Sequence, residues 1–319
     1  MADVKIWLNG SMVDAEAARL PHLTHTFHYG LGAFEGIRAY EQKPGHGAVF
    51  RLQDHVARLL ASCHLVTLDR GLAFTAAEIA DACIETLQAN GLSAGYLRPV
   101  VYIADGAMGI GATKNPIHVM VAAWKWGAYL GEEGLRQGIR ACISTFTRPG
   151  HHSTMSKGKL TGQYINSILA KREAVSNGYD EAILLNEQGH ITEATGENIF
   201  MIKDGVLITP PLYMNILAGI TRATLLDVAR DLKIPVAERP FARDELYMAD
   251  EVFLCGTAAE VTPVREIDRR TIGIGARGPL TTQLQAAFFD IVYGRRSGYD
   301  RWLTPFEMTA ARDVRLAAV

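Results

Sequence analysis

Alternating apolar and polar residues open the chain and predict a β-hairpin. Residues 4–8 alternate as in a half-buried strand, and Asn9-Gly10 is a residue pair preferred in two-residue hairpin turns. Residues 11–13 would form the returning strand. We therefore expect the chain to begin with two antiparallel strands.

A helical pattern follows further along the first half. Thr75 and Glu78 have the spacing of a capping box, and the apolar residues after them recur on one helical face up to Leu87. Gly91 then favours the end of the helix. This pattern predicts a helix over residues 76–90, and the apolar run over residues 96–103 predicts a strand.

The second half mixes helical and extended patterns. We expect helices over residues 164–175 and 221–232, strands over residues 181–185, 198–202 and 251–255, and a hairpin turn at Asp204-Gly205. The pattern weakens over residues 124–134, where glycines and polar residues predict a connection between domains. We expect a mixed α/β chain with an N-terminal domain over residues 1–124, a connection over residues 125–135 and a C-terminal domain over residues 136–319.

Composition and charge narrow the classes of function. The chain has 319 residues, a hydrophobic content of 48% and a net charge of −2, which argues against nucleic acid or a membrane surface as a partner. A small-molecule substrate is therefore expected. The four cysteines lack metal-binding spacing, so we expect reduced thiols. The N-terminus has no apolar signal core and no stretch reaches about 18 apolar residues, so we expect a cytoplasmic location.

Three other patterns favour no catalytic site. The glycines of residues 273–278 have dinucleotide-binding spacing, but Pro279 follows them directly and no apolar strand precedes them. His22, His25 and His28 recur with a period that suits neither a strand face nor helical metal ligands. Ser153 lacks the residues of a serine-hydrolase turn. We therefore expect no metal, no dinucleotide and no nucleophilic serine.

The candidate chemistry lies in the second half. Lys157 and Lys159 end a loop just before the helix that begins at Tyr164, and Glu193 follows in the same predicted domain. Residues 219–221 open an amphipathic helix whose N-terminus suits a phosphate. A lysine, an acid and a phosphate site together indicate a cofactor.

These motifs together resemble the branched-chain aminotransferases, members of the fold-type-IV pyridoxal-phosphate enzymes, over about residues 6–305. The residues that carry the resemblance are Ile6-Trp7, Asn9-Gly10, His28-Tyr29-Gly30, Gly32, Phe34-Glu35-Gly36-Ile37-Arg38, Tyr96-Leu97-Arg98-Pro99, Met108-Gly109, Gly127-Ala128-Tyr129-Leu130-Gly131, Glu193-Ala194, Gly196-Glu197-Asn198, Leu217, Gly219-Ile220-Thr221-Arg222, Gly256-Thr257-Ala258-Ala259-Glu260 and Pro263.

The resemblance implies two α/β domains with pyridoxal 5'-phosphate in the cleft between them and at a subunit interface of a homodimer or larger assembly. Lys159 would hold the cofactor covalently, the Tyr164 hydroxyl would meet its phenolate oxygen, and Glu193 would keep its ring nitrogen protonated. The implied cofactor-binding residues are Arg58, on a helix beginning near Gln53, with Lys159, Tyr164, Glu193, Gly196, Glu197, Asn198, Leu217, Gly219, Ile220, Thr221, Gly256 and Thr257.

The resemblance also implies the reaction and the substrate pocket. The amino group of leucine, isoleucine or valine would pass to 2-oxoglutarate in two half-reactions, with Lys159 as the general base. The implied substrate residues are Tyr29, Phe34, Gly36, Arg38, Tyr96, Arg98, Met108, Tyr129, Thr257 and Ala258.

Other interpretations compete with these assignments. By itself, Lys157 is expected to be solvated, Glu197 to be structural and Arg98 to form an ordinary ion pair. Relatives on the same fold include D-amino acid aminotransferases, (R)-selective amine transaminases and aminodeoxychorismate lyases. A binding protein without activity on this scaffold would be expected to lose Lys159 or Glu193, and the chain has both.

Overall fold

The computed structural model describes residues 4–308. The chain beyond residue 308, part of the tail in which the sequence shows no recognised motif, lies outside the described residues. The helices of the described chain are α1 (His25–Tyr29), α2 (Leu52–Leu65), α3 (Ala76–Ala89), α4 (Glu132–Gln137), α5 (Tyr164–Ser176), α6 (Ile220–Asp231), α7 (Arg243–Tyr247) and α8 (Pro279–Val292), with short 3-10 turns at Leu68–Gly71, Thr161–Gln163 and Asp300–Trp302.

The strands belong to two sheets. They are β1 (Lys5–Leu8), β2 (Ser11–Asp14), β3 (Gly32–Phe34), β4 (Ile37–Lys43), β5 (His46–Phe50), β6 (Gly95–Ile103), β7 (Ile117–Trp124), β8 (Ile139–Thr147), β9 (Glu181–Leu185), β10 (Ile191–Ala194), β11 (Asn198–Lys203), β12 (Val206–Thr209), β13 (Val236–Glu238), β14 (Glu251–Gly256), β15 (Glu260–Ile267), β16 (Arg270–Thr271) and β17 (Leu303–Glu307).

The first sheet is antiparallel and has the order β17-β5-β4-β6-β7-β1-β2, with β3 paired to β6. The predicted opening hairpin is confirmed, because Leu8 pairs with Ser11 and both turn residues have positive φ, 47° at Asn9 and 93° at Gly10. Helices α2 and α3 cover this sheet, and their apolar faces share one core with Ile37, Leu97 and Val121.

The second sheet has the order β10-β9-β8-β15-β14-β11-β12-β13 and includes both parallel and antiparallel pairs. The predicted turn at Asp204-Gly205 is confirmed, since Lys203 pairs with Val206 across it. Helices α6 and α8 pack together over β14, around a stacked pair of rings, Phe200 and Phe253. The mixed α/β fold class is thereby confirmed.

The predicted helices and strands lie close to their expected bounds. Helix α3 begins with a complete capping box, in which the Glu78 backbone N–H donates to Thr75 Oγ1 at 3.3 Å and the Thr75 backbone N–H donates to the Glu78 carboxylate at 2.8 Å. Helices α5 and α6 and strands β6, β9, β11 and β14 match the predicted segments to within a residue or two. The local patterns therefore identify these elements correctly.

The segment between the sheets contains an element that the sequence pattern does not predict. Strand β7 ends at Trp124 and β8 begins at Ile139, but α4 lies between them, bracketed by Gly131 (φ 82°) and Gly138 (φ 96°). Strand β17, near the end of the described chain, pairs with β5 of the first sheet and not with the second. The division into two domains remains our proposal. In it, β17 returns from the second half of the chain to the sheet of the first half.

Two further features of the described chain are the state of its cysteines and the character of its helices. All four cysteines are buried thiols. Among residues 4–308 no helix has both the length and the apolar character needed to cross a bilayer.

Candidate active site

A cavity of about 440 Å³ is lined by side chains from both sheets. The first sheet contributes Phe34, Tyr96 and Arg98, whereas the second contributes the strand ends at Glu193 and Cys255. The loop before α5 adds Lys159. A cavity with an aromatic wall and convergent charged groups is the usual form of a binding site for a small molecule.

Lys159 is held by its backbone and aimed by Tyr164. Its backbone N–H donates to Ser62 Oγ on α2 at 3.0 Å, and its carbonyl accepts from the Phe34 backbone N–H at 3.1 Å. Its ammonium Nζ donates to the Tyr164 hydroxyl at 2.6 Å. The five-residue separation brings the two side chains together because a single 3-10 turn leads into α5 between them.

Arg58 and the start of α6 meet at one end of the cavity. Arg58 Nη1 donates to the Ala218 carbonyl at 2.9 Å, immediately before the N-cap residue Gly219. Ile220 and Thr221 begin the helix, and no side chain caps it. A guanidinium beside free helix-terminal N–H groups forms a site suited to a phosphate. A Cβ on Gly219 would lie 1.9 Å from Asn198 Oδ1, so only glycine permits this approach.

Glu193 is a buried carboxylate surrounded by donors. Arg148 Nη2 lies 2.9 Å from its Oε1, while the Asn198 amide and the Leu217 backbone N–H donate to its Oε2 at 3.0 and 3.1 Å. Burial raises the pKa of Glu193 above its usual value, and the positive charge of Arg148 opposes that shift. The carboxylate is thus fixed in place for a ligand with a basic ring nitrogen.

A second acid, Glu197, lies on the turn between β10 and β11. Its carboxylate accepts from the Gly196 backbone N–H at 3.0 Å, and Glu181 is its neighbour in the interior. Burial and the negative charge of Glu181 raise the pKa of Glu197 to about 8. Lys171 pairs with Glu181 at 2.6 Å, and its positive charge opposes the shift of Glu197 only in part.

Aromatic rings form one wall of the cavity. Tyr96 packs between Trp124 and Trp126, with ring centroids 5.3 and 5.0 Å away, and Trp126 stacks on Tyr129. The Arg98 guanidinium lies 4.7 Å from the centroid of Phe34. A Cβ on Gly36 would lie 1.8 Å from the Tyr96 hydroxyl, which explains the glycine at that position.

Three of the described residues that line the cavity have buried polar atoms without a hydrogen-bond partner. Within residues 4–308, the buried Nε of Arg98, Nε1 of Trp126 and Oγ of Ser156 have no hydrogen-bond partner, and all three residues line the cavity. Buried donors are nearly always satisfied in folded proteins. The cavity therefore offers several donors that a polar ligand would meet.

Most predicted site residues line this one cavity. They are Phe34, Gly36, Arg58, Tyr96, Arg98, Tyr129, Lys159, Tyr164, Glu193, Gly196, Glu197, Asn198, Leu217, Gly219, Ile220, Thr221, Gly256, Thr257 and Ala258. Alternation along β6 places Tyr96 and Arg98 on the same face, as expected.

Three residues expected at the substrate lie elsewhere in the structure. Tyr29 and Met108 are exposed at 43% and 40%, and the Tyr29 hydroxyl accepts from the Gly109 backbone N–H. Arg38 faces away from the cavity, because its guanidinium pairs with Glu260 at 3.2 Å and lies over the Tyr40 ring. None of the three lines the cavity of its own chain.

Sequence reasoning missed several residues at the site. Arg148 and Trp126 line the cavity, yet no local motif marks them, because their roles depend on strands far apart in the chain. Lys157 also differs from expectation. It is exposed, but its ammonium donates to the carbonyls of Leu212 and Ile216, so it holds the loop that leads to Leu217 and is not simply solvated.

The sequence and fold are similar to those of known transferases. The family model for class IV amino-transferases matches residues 32–267. The branched-chain-amino-acid aminotransferase of Pseudomonas aeruginosa is 46% identical over 302 residues, covering 95% of this chain and 97% of that protein.

Two crystal structures of a branched-chain amino acid aminotransferase from T.th. have the same fold. The structure with pyridoxamine 5'-phosphate has a TM-score of 0.90 and 44% identity, covering 95% of this chain and 98% of that one. The structure of the complex with N-(5'-phosphopyridoxyl)-L-glutamate has a TM-score of 0.88 and 41% identity, at 95% and 98% coverage.

Proposed function

The chain belongs to the class IV aminotransferases, among the branched-chain-amino-acid aminotransferases, and on this premise we propose that its cavity binds pyridoxal 5'-phosphate at Lys159. We further propose that it moves the amino group of leucine, isoleucine or valine to 2-oxoglutarate in two alternating half-reactions. The observation that carries the proposal is the 2.6 Å contact of Lys159 Nζ with the Tyr164 hydroxyl, in a cavity that also contains the buried Glu193.

The donors of the cavity fit this cofactor. Arg58 and the uncapped start of α6 supply N–H groups to a phosphate, and Glu193 supplies a fixed carboxylate to a ring nitrogen. When bound, the cofactor supplies an electron-withdrawing aromatic ring. A structure of a relative with pyridoxamine 5'-phosphate supports the same choice.

The protein's own side chains then position and move protons. We assign to Lys159 Nζ both the hold on the cofactor and the transfer of the substrate α-proton, because Lys159 is the lysine among the described residues that line the cavity. The Tyr164 hydroxyl fixes the direction of Nζ. Arg148 favours the ionised form of Glu193, which a cationic ring nitrogen would favour further.

The aromatic wall suits both the branched-chain substrate and the acidic one. Phe34, Tyr96 and Trp126 offer apolar area to a branched side chain, whereas Arg98 offers a cation to the distal carboxylate of glutamate or 2-oxoglutarate. The relative crystallised with N-(5'-phosphopyridoxyl)-L-glutamate supports the second half-reaction. The relatives favour this assignment over a D-amino acid or (R)-amine transaminase.

A second copy of the chain is our proposed partner. Apolar side chains of α1 and the loop after β6 are exposed beside one another, since His25 Nε2 and the Tyr29 hydroxyl both bond to Gly109. The exposed side chains include Phe27 at 73% and Ile110 at 91%. Such a patch marks an interface, and a two-fold dimer is the commonest arrangement. We propose that this face packs against a second copy of the chain and that its Tyr29 and Met108 line the cavity of that second copy.

An absorbance experiment tests the function directly. The purified protein loaded with pyridoxal phosphate is mixed in turn with L-leucine, D-alanine and (R)-1-phenylethylamine, and the cofactor spectrum is followed. We expect L-leucine to change the spectrum and 2-oxoglutarate to restore it. A response to D-alanine or the amine alone would favour the other transaminases, and no cofactor uptake would contradict the proposal.

A further inference from the structure

Glu35 is a charged side chain with 0% exposure that the proposed reaction does not use. Its Oε1 accepts from Arg58 Nε at 2.6 Å, and its Oε2 accepts from Arg58 Nη2 at 2.9 Å. The same Oε2 accepts from His55 Nδ1 at 2.7 Å and from the Gly36 backbone N–H at 3.3 Å. Both oxygens are therefore satisfied by donors from α2 and from the chain beside β4.

This network fixes Arg58 from two sides. Glu35 takes the Nε and Nη2 groups in a bidentate pair, and the Ala218 carbonyl takes one N–H of Nη1. A guanidinium has five N–H groups in a rigid plane. The groups left over lie where Arg58 lines the cavity, next to the start of α6.

The electrostatics of the pair favour a fixed geometry. Burial alone would raise the pKa of Glu35, but the charge of Arg58 and the His55 hydrogen bond hold it well below the usual range. Burial lowers the pKa of His55, which favours the neutral ring, and the adjacent Glu35 opposes that shift. The ionised carboxylate is thus present at all moderate pH values and keeps Arg58 in one rotamer.

Two effects of Glu35 on a bound phosphate oppose each other. Its negative charge weakens the attraction of Arg58 for the phosphate, but it lies on the Nε–Nη2 edge of the guanidinium, whereas Nη1 faces Ala218 before the start of α6. Its bidentate bond removes the rotamer freedom that a long arginine side chain would otherwise lose on binding. We expect the fixed orientation of the Arg58 N–H groups to outweigh the charge effect, because bidentate recognition of a phosphate depends on the angle of its donors.

We propose that Glu35, secured by His55, is a positioning residue that aims Arg58 at the phosphate of the bound ligand. This inference rests on the proposed function, since it takes the ligand to be pyridoxal phosphate. It predicts that Glu35 affects recognition of the phosphate group and not of the rest of the cofactor.

The test compares two ligands that differ only in the phosphate. Apoenzymes of the wild type and of Glu35→Gln, which keeps the side-chain size, are titrated with pyridoxal phosphate and with pyridoxal, following absorbance. We expect the Kd for pyridoxal phosphate to rise about ten- to hundredfold, the range for losing hydrogen bonds to a charged group. The Kd for pyridoxal should change by less than about twofold.

Controls separate positioning from folding. Glu251→Gln alters another buried glutamate, which accepts from the backbone N–H groups of Leu280 and Thr281 at the start of α8. It should lower thermal stability but leave the ratio of the two Kd values unchanged. In a background of Arg58→Ala, Glu35→Gln should cause no further change in that ratio.

Other outcomes would overturn the inference. Equal losses for both ligands would show that Glu35 only supports the fold, and tighter binding of pyridoxal phosphate would show that its charge outweighs its positioning. If Glu35→Gln does not fold, Glu35→Asp, which withdraws the carboxylate from Arg58, should give the same selective loss. A wild type that binds no pyridoxal phosphate would contradict the proposed function as well. If the wild type binds it and Glu35→Gln prefers it over pyridoxal as strongly as the wild type does, only the inference about Glu35 is overturned.

Discussion

Two lysines near the cavity have different partners although they lie two positions apart. Lys159 Nζ meets the Tyr164 hydroxyl, whereas Lys157 donates to carbonyls of the loop over residues 212–216. We predict that borohydride reduction of the cofactor-loaded protein labels Lys159 in a peptide map. Lys159→Ala should abolish turnover, and Lys157→Ala, the matched control, should reduce it by less than about tenfold because it only loosens a loop. A label on Lys157 would contradict the assignment.

The position of Arg98 predicts different effects on the two substrates. Its guanidinium lies over Phe34, and its buried Nε has no partner among the described residues. Arg98→Ala should raise the KM for 2-oxoglutarate by the equivalent of about 2–5 kcal/mol, the cost of losing one partner of a buried charge pair. The half-reaction with L-leucine should change much less, because leucine has no distal charge.

Separate half-reaction kinetics measure both effects of Arg98→Ala. Arg230→Ala, an arginine 62% exposed on α6, serves as the control and should change neither. Equal losses with leucine and 2-oxoglutarate would show that Arg98 binds a group common to both substrates.

At the scale of single elements, the start of α3 tests a local signal. The Thr75 hydroxyl accepts a backbone N–H that otherwise has no partner within the helix. Thr75→Ala should lower the free energy of unfolding by about 1 kcal/mol, measured by urea denaturation. Glu85→Ala, on the exposed face of the same helix, should have a smaller effect. Equal stability of Thr75→Ala and the wild type would show that the cap contributes nothing.

The neighbouring buried acids Glu181, on β9, and Glu197, on the turn before β11, predict that stability depends on pH. The pKa of Glu197 is raised from 4.5 to about 8, so the folded protein binds this proton more tightly than the unfolded chain. The stability associated with the protonated acid is complete below about pH 4.5 and is lost as the pH rises through about 8. Glu181, Glu193 and Lys171 are the charged groups around it.

Melting temperatures of the wild type and Glu197→Gln between about pH 5 and pH 9 measure this effect. As the pH rises, the free energy of unfolding of the wild type should fall by more than about 1 kcal/mol relative to that of the variant, since each pKa unit corresponds to about 1.4 kcal/mol. Glu85→Gln, an exposed control on α3, should follow the wild type. Parallel curves for Glu197→Gln and the wild type would contradict the prediction.

At the scale of the whole molecule, the proposed dimer predicts that chains share residues. Tyr29 is exposed and does not line the cavity of its own chain, whereas Lys159 does. If the second copy supplies Tyr29, a mixed dimer of Lys159→Ala and Tyr29→Ala chains contains one complete site. We expect about half of the wild-type activity in the mixed dimer and little in either parent.

Two affinity tags on co-expressed chains isolate the mixed dimer for this measurement. A mixed dimer no more active than the Tyr29→Ala dimer would show that Tyr29 acts within its own chain. Full activity of the Tyr29→Ala dimer would remove Tyr29 from the substrate site.

Short-range signals in the sequence determined much of the secondary structure. The turn at Asn9-Gly10 and the capping box of Thr75 each depend on residues within one turn of the backbone, so their sequence is sufficient to identify them. The spacing of Lys159 and Tyr164 is also local. It brings the two side chains together because one short turn joins the loop to α5.

Tertiary structure alone decided which distant residues share the cavity and which do not. The pairing of Arg148 with Glu193, and of Arg58 with Glu35, depends on how separate strands and helices pack, and no local pattern encodes that packing. The return of β17 to the first sheet and the exposure of Tyr29 have the same origin. The sequence alone identified the chemical groups and the local elements, whereas contacts between residues far apart in the chain fixed their positions, because those contacts form only when the sheets and helices bury their apolar faces together.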